Sequence, residues 1–195
     1  MKILAIGASN NADSINRKLA AFAAGLIADA VVETLNIDDY ELPLFSDARE
    51  NQIGQPQLAL DFHAKIASAD GLVVSFAEHN GSYTAAYKNL FDWVSRIDKE
   101  VFQHKPVVFL ATSPGPGGAS SVLASAVDSA VFFGADLVGS LSVPNFFENY
   151  DIEANHVVNH FVLKQLVARM NLLRSKVLSN SMLKDIASTA GFPFS

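Results

Sequence analysis

Three short polar segments carry the residues able to do chemistry in this 195-residue chain. The first is Ala8-Ser9-Asn10-Asn11-Ala12-Asp13-Ser14-Ile15-Asn16, which follows an apolar run and leads into a helical pattern. Its hydroxyls and amides sit beside the free N–H groups and positive dipole end of a helix start. That combination suits a phosphate monoester held without a lysine. Read without a ligand, the segment is a polar loop with Ser14 as helix cap. The second is Glu78-His79-Asn80-Gly81-Ser82-Tyr83. Asn-Gly is tight-turn chemistry, and Ser82 is placed to cap the helix that follows. His79 is the imidazole here, the side-chain type that exchanges protons near neutral pH. The third is Ser113-Pro114-Gly115-Pro116-Gly117-Gly118, whose glycines either admit a flat ligand close to the backbone or make a flexible connector.

Other chemistries lack their residues. Cysteine is absent, which removes disulfides, thiolate nucleophiles, iron–sulfur clusters and Cys-ligated zinc. Neither dinucleotide GxGxxG nor Walker spacing occurs in the first segment, and the chain has no GxSxG elbow. His156 and His160 are spaced i, i+4 in a helical pattern, but they lack the Glu of HExxH and a third ligand. They read as a solvated helix face. The pairs Phe132-Phe133, Phe146-Phe147 and Phe192/Phe194 read as core or subunit interface.

The elements that must position these segments alternate regularly. Residues 2–7, 31–37, 71–76, 106–111 and 136–143 read as strands, several of them apolar throughout, as strands buried on both faces are. Helical spacing occupies 14–27, 56–69, 83–97, 120–133 and 152–177, while 38–53 and 144–150 read as loops. Strands alternating with helices predict an α/β, doubly wound parallel sheet with helices on both faces. A domain over 1–177 and a tail of uncertain structure over 178–195 are expected. Apolar residues at 50 % support a full core, and 14 basic against 20 acidic residues give −6. That balance disfavours nucleic acid. The apolar N-terminal run is too short for a signal sequence, and the charge-free stretch 106–127 is broken by Pro and Gly, so no membrane partner is expected. The expected compartment is the cytoplasm.

In order and spacing, the three segments resemble the NADPH-dependent FMN reductase family of flavodoxin-like proteins. That family also contains quinone, azo-dye and metal-ion reductases. Its G-S-x-R-x-x-S-x-N-x-x-L-A motif is matched by Ala8 to Ala20. Its P-E-Y-N-x-S-x-x-x-x-L-K-N-x-x-D-W motif is matched by Ala77 to Trp93. K-P-V followed by S-x-G-x-x-G-G is matched by Lys105-Pro106-Val107 and, one residue shorter, by Ser113 to Gly118.

The resemblance implies a five-stranded sheet of order 2-1-3-4-5 and an FMN-dependent enzyme. Such an enzyme oxidises NADPH or NADH and passes electrons to a quinone, azo compound, free flavin or metal ion. It implies that Ser9, Asn11, Ser14, Ile15 and Asn16 hold the FMN phosphate. Glu78, His79, Asn80, Gly81 and Ser82 would line the isoalloxazine edge, with Ser113, Gly115, Gly117 and Gly118 close to the ring. A homodimer or homotetramer is implied, and no side chain is required as nucleophile or base. Departures are present. Asn11 stands where the family has arginine, Asp13 adds a negative charge, and Ala77 and His79 replace proline and tyrosine. Weaker FMN binding is expected from the charge difference. A flavodoxin-type electron carrier and a flavodoxin-fold binding protein without tight FMN remain the alternatives.

Overall fold

The structure is a computed structural model and describes residues 1–190. Phe192 and Phe194 lie outside the described residues. The five sheet strands are β1 (Lys2–Ala8), β2 (Val31–Asn36), β3 (Gly71–Phe76), β4 (Pro106–Thr112) and β5 (Asp136–Val143). They pair in the order β2-β1-β3-β4-β5, all parallel. The main helices are α1 (Ile15–Gly25), α2 (Gln57–Ala67), α3 (Ala85–Ile97), α4 (Ser120–Ser129) and α5 (His160–Ala190).

Successive strand residues point to opposite faces, so one apolar run feeds two cores. Leu4, Ile6, Val74 and Phe109 pack with Phe62 of α2, Trp93 of α3 and Val122 of α4. Ile3, Ala5, Val73 and Val108 pack with Leu19 of α1 and with Leu166, Met170 and Leu173 of α5. This two-sided burial is why the strands lack polar alternation. Gly7 sets how closely α1 lies on the sheet. A Cβ there would sit 2.5 Å from the Arg17 backbone nitrogen and 2.6 Å from its Cα.

Several boundaries differ from the sequence expectation, each for a local reason. The helix expected from residue 83 begins at Ala85, because Tyr83 pairs with Glu78 in a small antiparallel hairpin. Thr84, not Ser82, caps it, accepting from the Tyr87 N–H at 3.2 Å. The expected loop over 38–53 contains a short helix, Asp47–Ile53, capped by Ser46 and ended by Gly54 at φ 69°. The loop over 144–150 contains the helical turn Phe146–Asn149.

The helix expected over 152–177 begins only at His160. Tyr150–Asp151 instead pairs with His156–Val157, and Asn159 Oδ1 accepts from the Phe161 N–H at 2.9 Å. His156 is therefore on a hairpin, not on a helix face shared with His160. The helix continues past Val177 as far as Ala190. Among the described residues no helix is long and apolar enough to cross a membrane.

Charge pairing ties β2 to its neighbours. Glu33 bridges Lys2 at 2.8 Å and Lys65 at 2.6 Å. The hydrogen bonds from Lys2 and then Lys65 hold its carboxyl below the usual carboxylate range. Unfolded glutamate titrates near about 4.3. The stabilising contribution is therefore present above that pH and is lost as pH falls through the lower folded value. Glu33→Gln is expected to flatten the acid limb of the stability curve below about pH 4.3 while lowering stability modestly at pH 7. Denaturant melts between pH 2.5 and 7 check this, and an unaltered acid limb contradicts it.

Candidate functional site

The three polar segments meet at the switch in strand order, where β1, second from the sheet edge, has β2 on one side and β3 on the other. Open α/β sheets leave a crevice at this point, beyond the carboxyl ends of their strands. A cleft of about 460 Å³ lies there. Of the residues singled out in the sequence, Ser9, Asn11, Ser14, Ile15 and Asn16 line it from the first segment. Glu78, His79 and Ser113 line it from the other two. Asn80, Gly81, Ser82, Gly115, Gly117 and Gly118 lie outside its lining, in the hairpin turn and the glycine loop.

The first loop is shaped by its own short side chains. Asn11 Oδ1 accepts from the Asp13 N–H at 2.8 Å, and the Asn11 carbonyl accepts from the Ser14 N–H at 3.0 Å. Ser14 Oγ accepts from the Arg17 N–H at 3.2 Å and so caps α1, while Ser9 Oγ accepts from the Asn11 N–H at 3.2 Å. Both serines are nearly buried, at 4 % and 6 % exposed. Each spends its oxygen as an acceptor, and its O–H has no acceptor among the described residues. The Ile15 and Asn16 N–H groups, in the first turn of α1, likewise donate to no described residue, as expected of a helix start.

Arg17 completes the loop. Its Nη1 donates to Asn36 Oδ1 at 2.8 Å, and its Nη2 donates to the Ala12 carbonyl. A cation therefore braces the loop from the flank although Asn11 stands at the motif's arginine position. Arg17 occupies a variable position of the motif, so the motif does not single it out.

Asn16 is a buried crosslink. Its Oδ1 accepts from Ser75 Oγ of β3 at 2.7 Å and from the Thr112 N–H of β4 at 3.1 Å, and its Nδ2 donates to the Thr112 carbonyl at 3.1 Å. The side chain is thus committed to two strands, which leaves its backbone N–H for a ligand. Thr84 makes a similar tie, donating to the Ala8 carbonyl at 3.0 Å. Glu78 sends a carboxylate oxygen to the Val122 N–H at 2.9 Å. It thereby caps α4, whose own cap position, Ala119, has no side chain able to do so.

The glycine loop is held at its far end. Gly118 has φ 58°, and a Cβ there would meet Ser142 Oγ and lie 2.9 Å from the Pro144 nitrogen. Ser142 donates to the Gly118 carbonyl at 2.8 Å. Gly115 and Gly117, by contrast, have open space where a Cβ would stand. The Asn145 and Phe146 N–H groups donate back to the Gly115 and Ser113 carbonyls at 2.9 and 3.0 Å. That linkage brings Phe147 to the cleft, where it lines the wall and remains 57 % exposed. The sequence flagged Phe146-Phe147 as core or interface; the pair is split, with Phe146 fully buried. Ala77, Thr112, Pro114 and Asp13 also line the cleft.

The sequence model described as NADPH-dependent FMN reductase matches residues 1–148. The chain belongs to this family. It is 34 % identical over 120 residues to a 2-hydroxy-1,4-benzoquinone reductase of Burkholderia sp, covering 60 % of this chain and 63 % of that protein. It is 30 % identical over 123 residues to an NADPH:quinone oxidoreductase of Arabidopsis thaliana, covering 62 % of each. The aligned part thus spans about three fifths of the length of these relatives. Among solved structures, the flavoenzyme NAD(P)H:(acceptor) oxidoreductase of Paracoccus denitrificans superposes with a TM-score of 0.75 at 22 % identity. That match covers 91 % of this chain and 97 % of the other, and shows the shared flavodoxin-like fold. Within the FMN reductase family, this chain keeps the polar segments at the sheet edge while carrying Asn11, Asp13, Ala77 and His79 at four motif positions.

Proposed function

We propose that the protein is an FMN-dependent NAD(P)H oxidoreductase that passes electrons to a small acceptor such as a quinone or free flavin. One observation carries the reading. Two nearly buried serine hydroxyls and two backbone N–H groups, all with donor capacity unspent, border one cleft at the start of α1. Four donors beside one cleft, with no acceptor among the described residues, fit a phosphate group at a helix N-terminus. Gly115 and Gly117, with open space on the side where a Cβ would stand, fit the edge of a flat ring.

When bound, FMN would supply hydride acceptance from NAD(P)H and electron delivery to a small acceptor, the chemistry of a ping-pong oxidoreductase. The chain's part is to bind, orient and exclude. Ser9 and Ser14 donate to the phosphate, together with the Ile15 and Asn16 N–H groups. Arg17 braces the loop. Glu78, by capping α4, fixes the hairpin against the glycine loop. Phe147 covers the open side with apolar surface, and a second copy of the chain in a homodimer or homotetramer is the cover we propose for Phe147 itself. No side chain is asked to act as nucleophile.

The test is steady-state NAD(P)H oxidation by the pure, FMN-loaded protein with a benzoquinone. Parallel lines in double-reciprocal plots are expected. Loaded protein that does not turn over NAD(P)H contradicts the enzymatic reading and favours an electron carrier.

The Asn11 and Asp13 departures give a second expectation. A charge-assisted hydrogen bond is worth about 1.5–3 kcal/mol. Part of this is lost to solvent and to the broken Asn11 turn, so Asn11→Arg is expected to tighten FMN binding by about tenfold, or about 1.4 kcal/mol. Riboflavin, which lacks the phosphate, should be unaffected. Titrating the apo-protein with both ligands decides it, and an unchanged FMN affinity contradicts the charge argument.

A further inference from the structure

The chain contains one Asn-Gly pair, Asn80-Gly81, and it forms the tip of the small hairpin built from Glu78–His79 and Ser82–Tyr83. Asn80 has φ 53° and Gly81 has φ 78°, the two left-handed residues of a tight hairpin turn. Both are exposed. The Asn80 side chain makes no hydrogen bond among the described residues, and neither does the Gly81 N–H. Nothing lies within 4 Å of the place where a Cβ on Gly81 would stand. A free side-chain amide thus stands next to a free and unhindered backbone nitrogen.

Such a pair reacts with itself. The Gly81 nitrogen attacks the side-chain carbonyl carbon of Asn80. A new C–N bond forms, the bond to the side-chain nitrogen breaks, and that nitrogen leaves as ammonia with the Gly81 amide proton. Water then opens the cyclic imide at either carbonyl, giving aspartate or isoaspartate. No oxidant or reductant is consumed. Ring closure needs Asn80 to leave its left-handed conformation. Only two residue pairs close the turn, so the opening stays local while Glu78 remains anchored to the Val122 N–H at 2.9 Å. Other asparagines are less favourably placed. Asn11 and Asn16 spend their side-chain oxygens on the Asp13 and Thr112 N–H groups. Asn180, which precedes the small residue Ser181, lies inside α5, where the following nitrogen is held in the helical backbone.

We propose that Asn80-Gly81 is a site of spontaneous modification, where conversion of the amide to an acid weakens flavin binding. The flavin half of this statement rests on the oxidoreductase reading, in which the hairpin lies at the ring edge. An amide on the turn can donate to the carbonyls of that ring. A carboxylate cannot, and it repels the negative charge of the reduced flavin. The isoaspartate product also lengthens the main chain of a turn whose geometry is set by its two residues.

The purified protein is aged at mildly alkaline pH, and its peptides are mapped by mass at intervals. The mass gain of an amide-to-acid exchange is expected at Asn80 before any other asparagine. Asn80→Gln should lack it, because the longer side chain must close a larger ring. FMN titration of the aged parent should show weakening in proportion to the mass gain. At full conversion this reaches about three- to tenfold, the effect of one charge near the ring in a partly solvated site. Freshly purified Asn80→Asp should fall in the same range, and aged Asn80→Gln should bind FMN as it did when fresh. Three results overturn the proposal. They are earlier conversion at another asparagine, no conversion at Asn80, and an FMN affinity that Asn80→Asp leaves unchanged. Conversion at Asn80 in a protein that binds no FMN even when fresh overturns the oxidoreductase reading and, with it, the flavin half of the proposal.

Discussion

Gly7→Ala is expected to lower the melting temperature by about 6–12 °C and to release FMN. The added methyl has nowhere to go. It would stand 2.5 to 2.7 Å from the nitrogen, Cα and Cβ of Arg17, two of them backbone atoms of α1. Real Cβ contacts are not that short, so α1 must move off β1. Over-packing of this kind costs about 1–3 kcal/mol, and backbone contacts place this case at the upper end. At about 2–4 °C per kcal/mol for a chain of this size, about 3 kcal/mol gives the stated range. The same displacement moves Ser14, Ile15 and Asn16, so phosphate binding falls with stability. Thermal melts with and without FMN check both effects. A variant that melts like the parent contradicts the close approach of α1 to the sheet.

Asn16→Leu is the second large effect. The leucine is similar in shape but leaves the Ser75 hydroxyl, the Thr112 N–H and the Thr112 carbonyl without their bonds to Asn16, in a site where Asn16 itself is 2 % exposed. Each unpaired buried group costs about 1–3 kcal/mol, and such costs are not additive, so a loss of about 3–5 kcal/mol is expected. Asn16→Asp keeps the acceptor oxygen but removes the donor to Thr112 and introduces a charge into a buried site. It should destabilise too, less at pH 4 than at pH 7, since protonation neutralises the buried carboxyl. Denaturant unfolding at the two pH values checks the pair. Equal stability of Asn16→Leu and the parent means that Asn16 is not the crosslink described.

The contrast between these two residues explains what the sequence made legible. The strands were readable because burial on both faces leaves nearly unbroken apolar runs such as residues 71–76, and the strand order followed from the family pattern. Asn16 was readable as an important residue but not as a crosslink. Its partners Ser75 and Thr112 lie 59 and 96 positions away, and only the parallel stacking of β3 and β4 brings them to it. Ser82 and Thr84 were equally good caps by type; the pairing of Tyr83 with Glu78 decided between them. Arg17 was not legible because its role depends on the side chain turning back over one helical turn to Ala12. Phe147 escaped because its exposure is set by the bonds of residues 145 and 146 to the glycine loop. The helical spacing from residue 152 was genuine as a pattern, but Asn155 takes φ 53° and Asn159 starts the helix afresh. Local spacing sees composition and period; it does not see which distant backbone group claims a side chain.

The central claim is that the cleft at the start of α1 holds FMN for electron transfer from NAD(P)H. The visible spectrum of the purified protein, reconstituted with FMN, desalted and then mixed anaerobically with NADPH or NADH, tests it most directly. The account predicts flavin bands that stay with the protein through desalting, bleach on adding the nicotinamide and return on adding a quinone. Protein that remains colourless after reconstitution, or flavin bands that neither nucleotide bleaches, would contradict it.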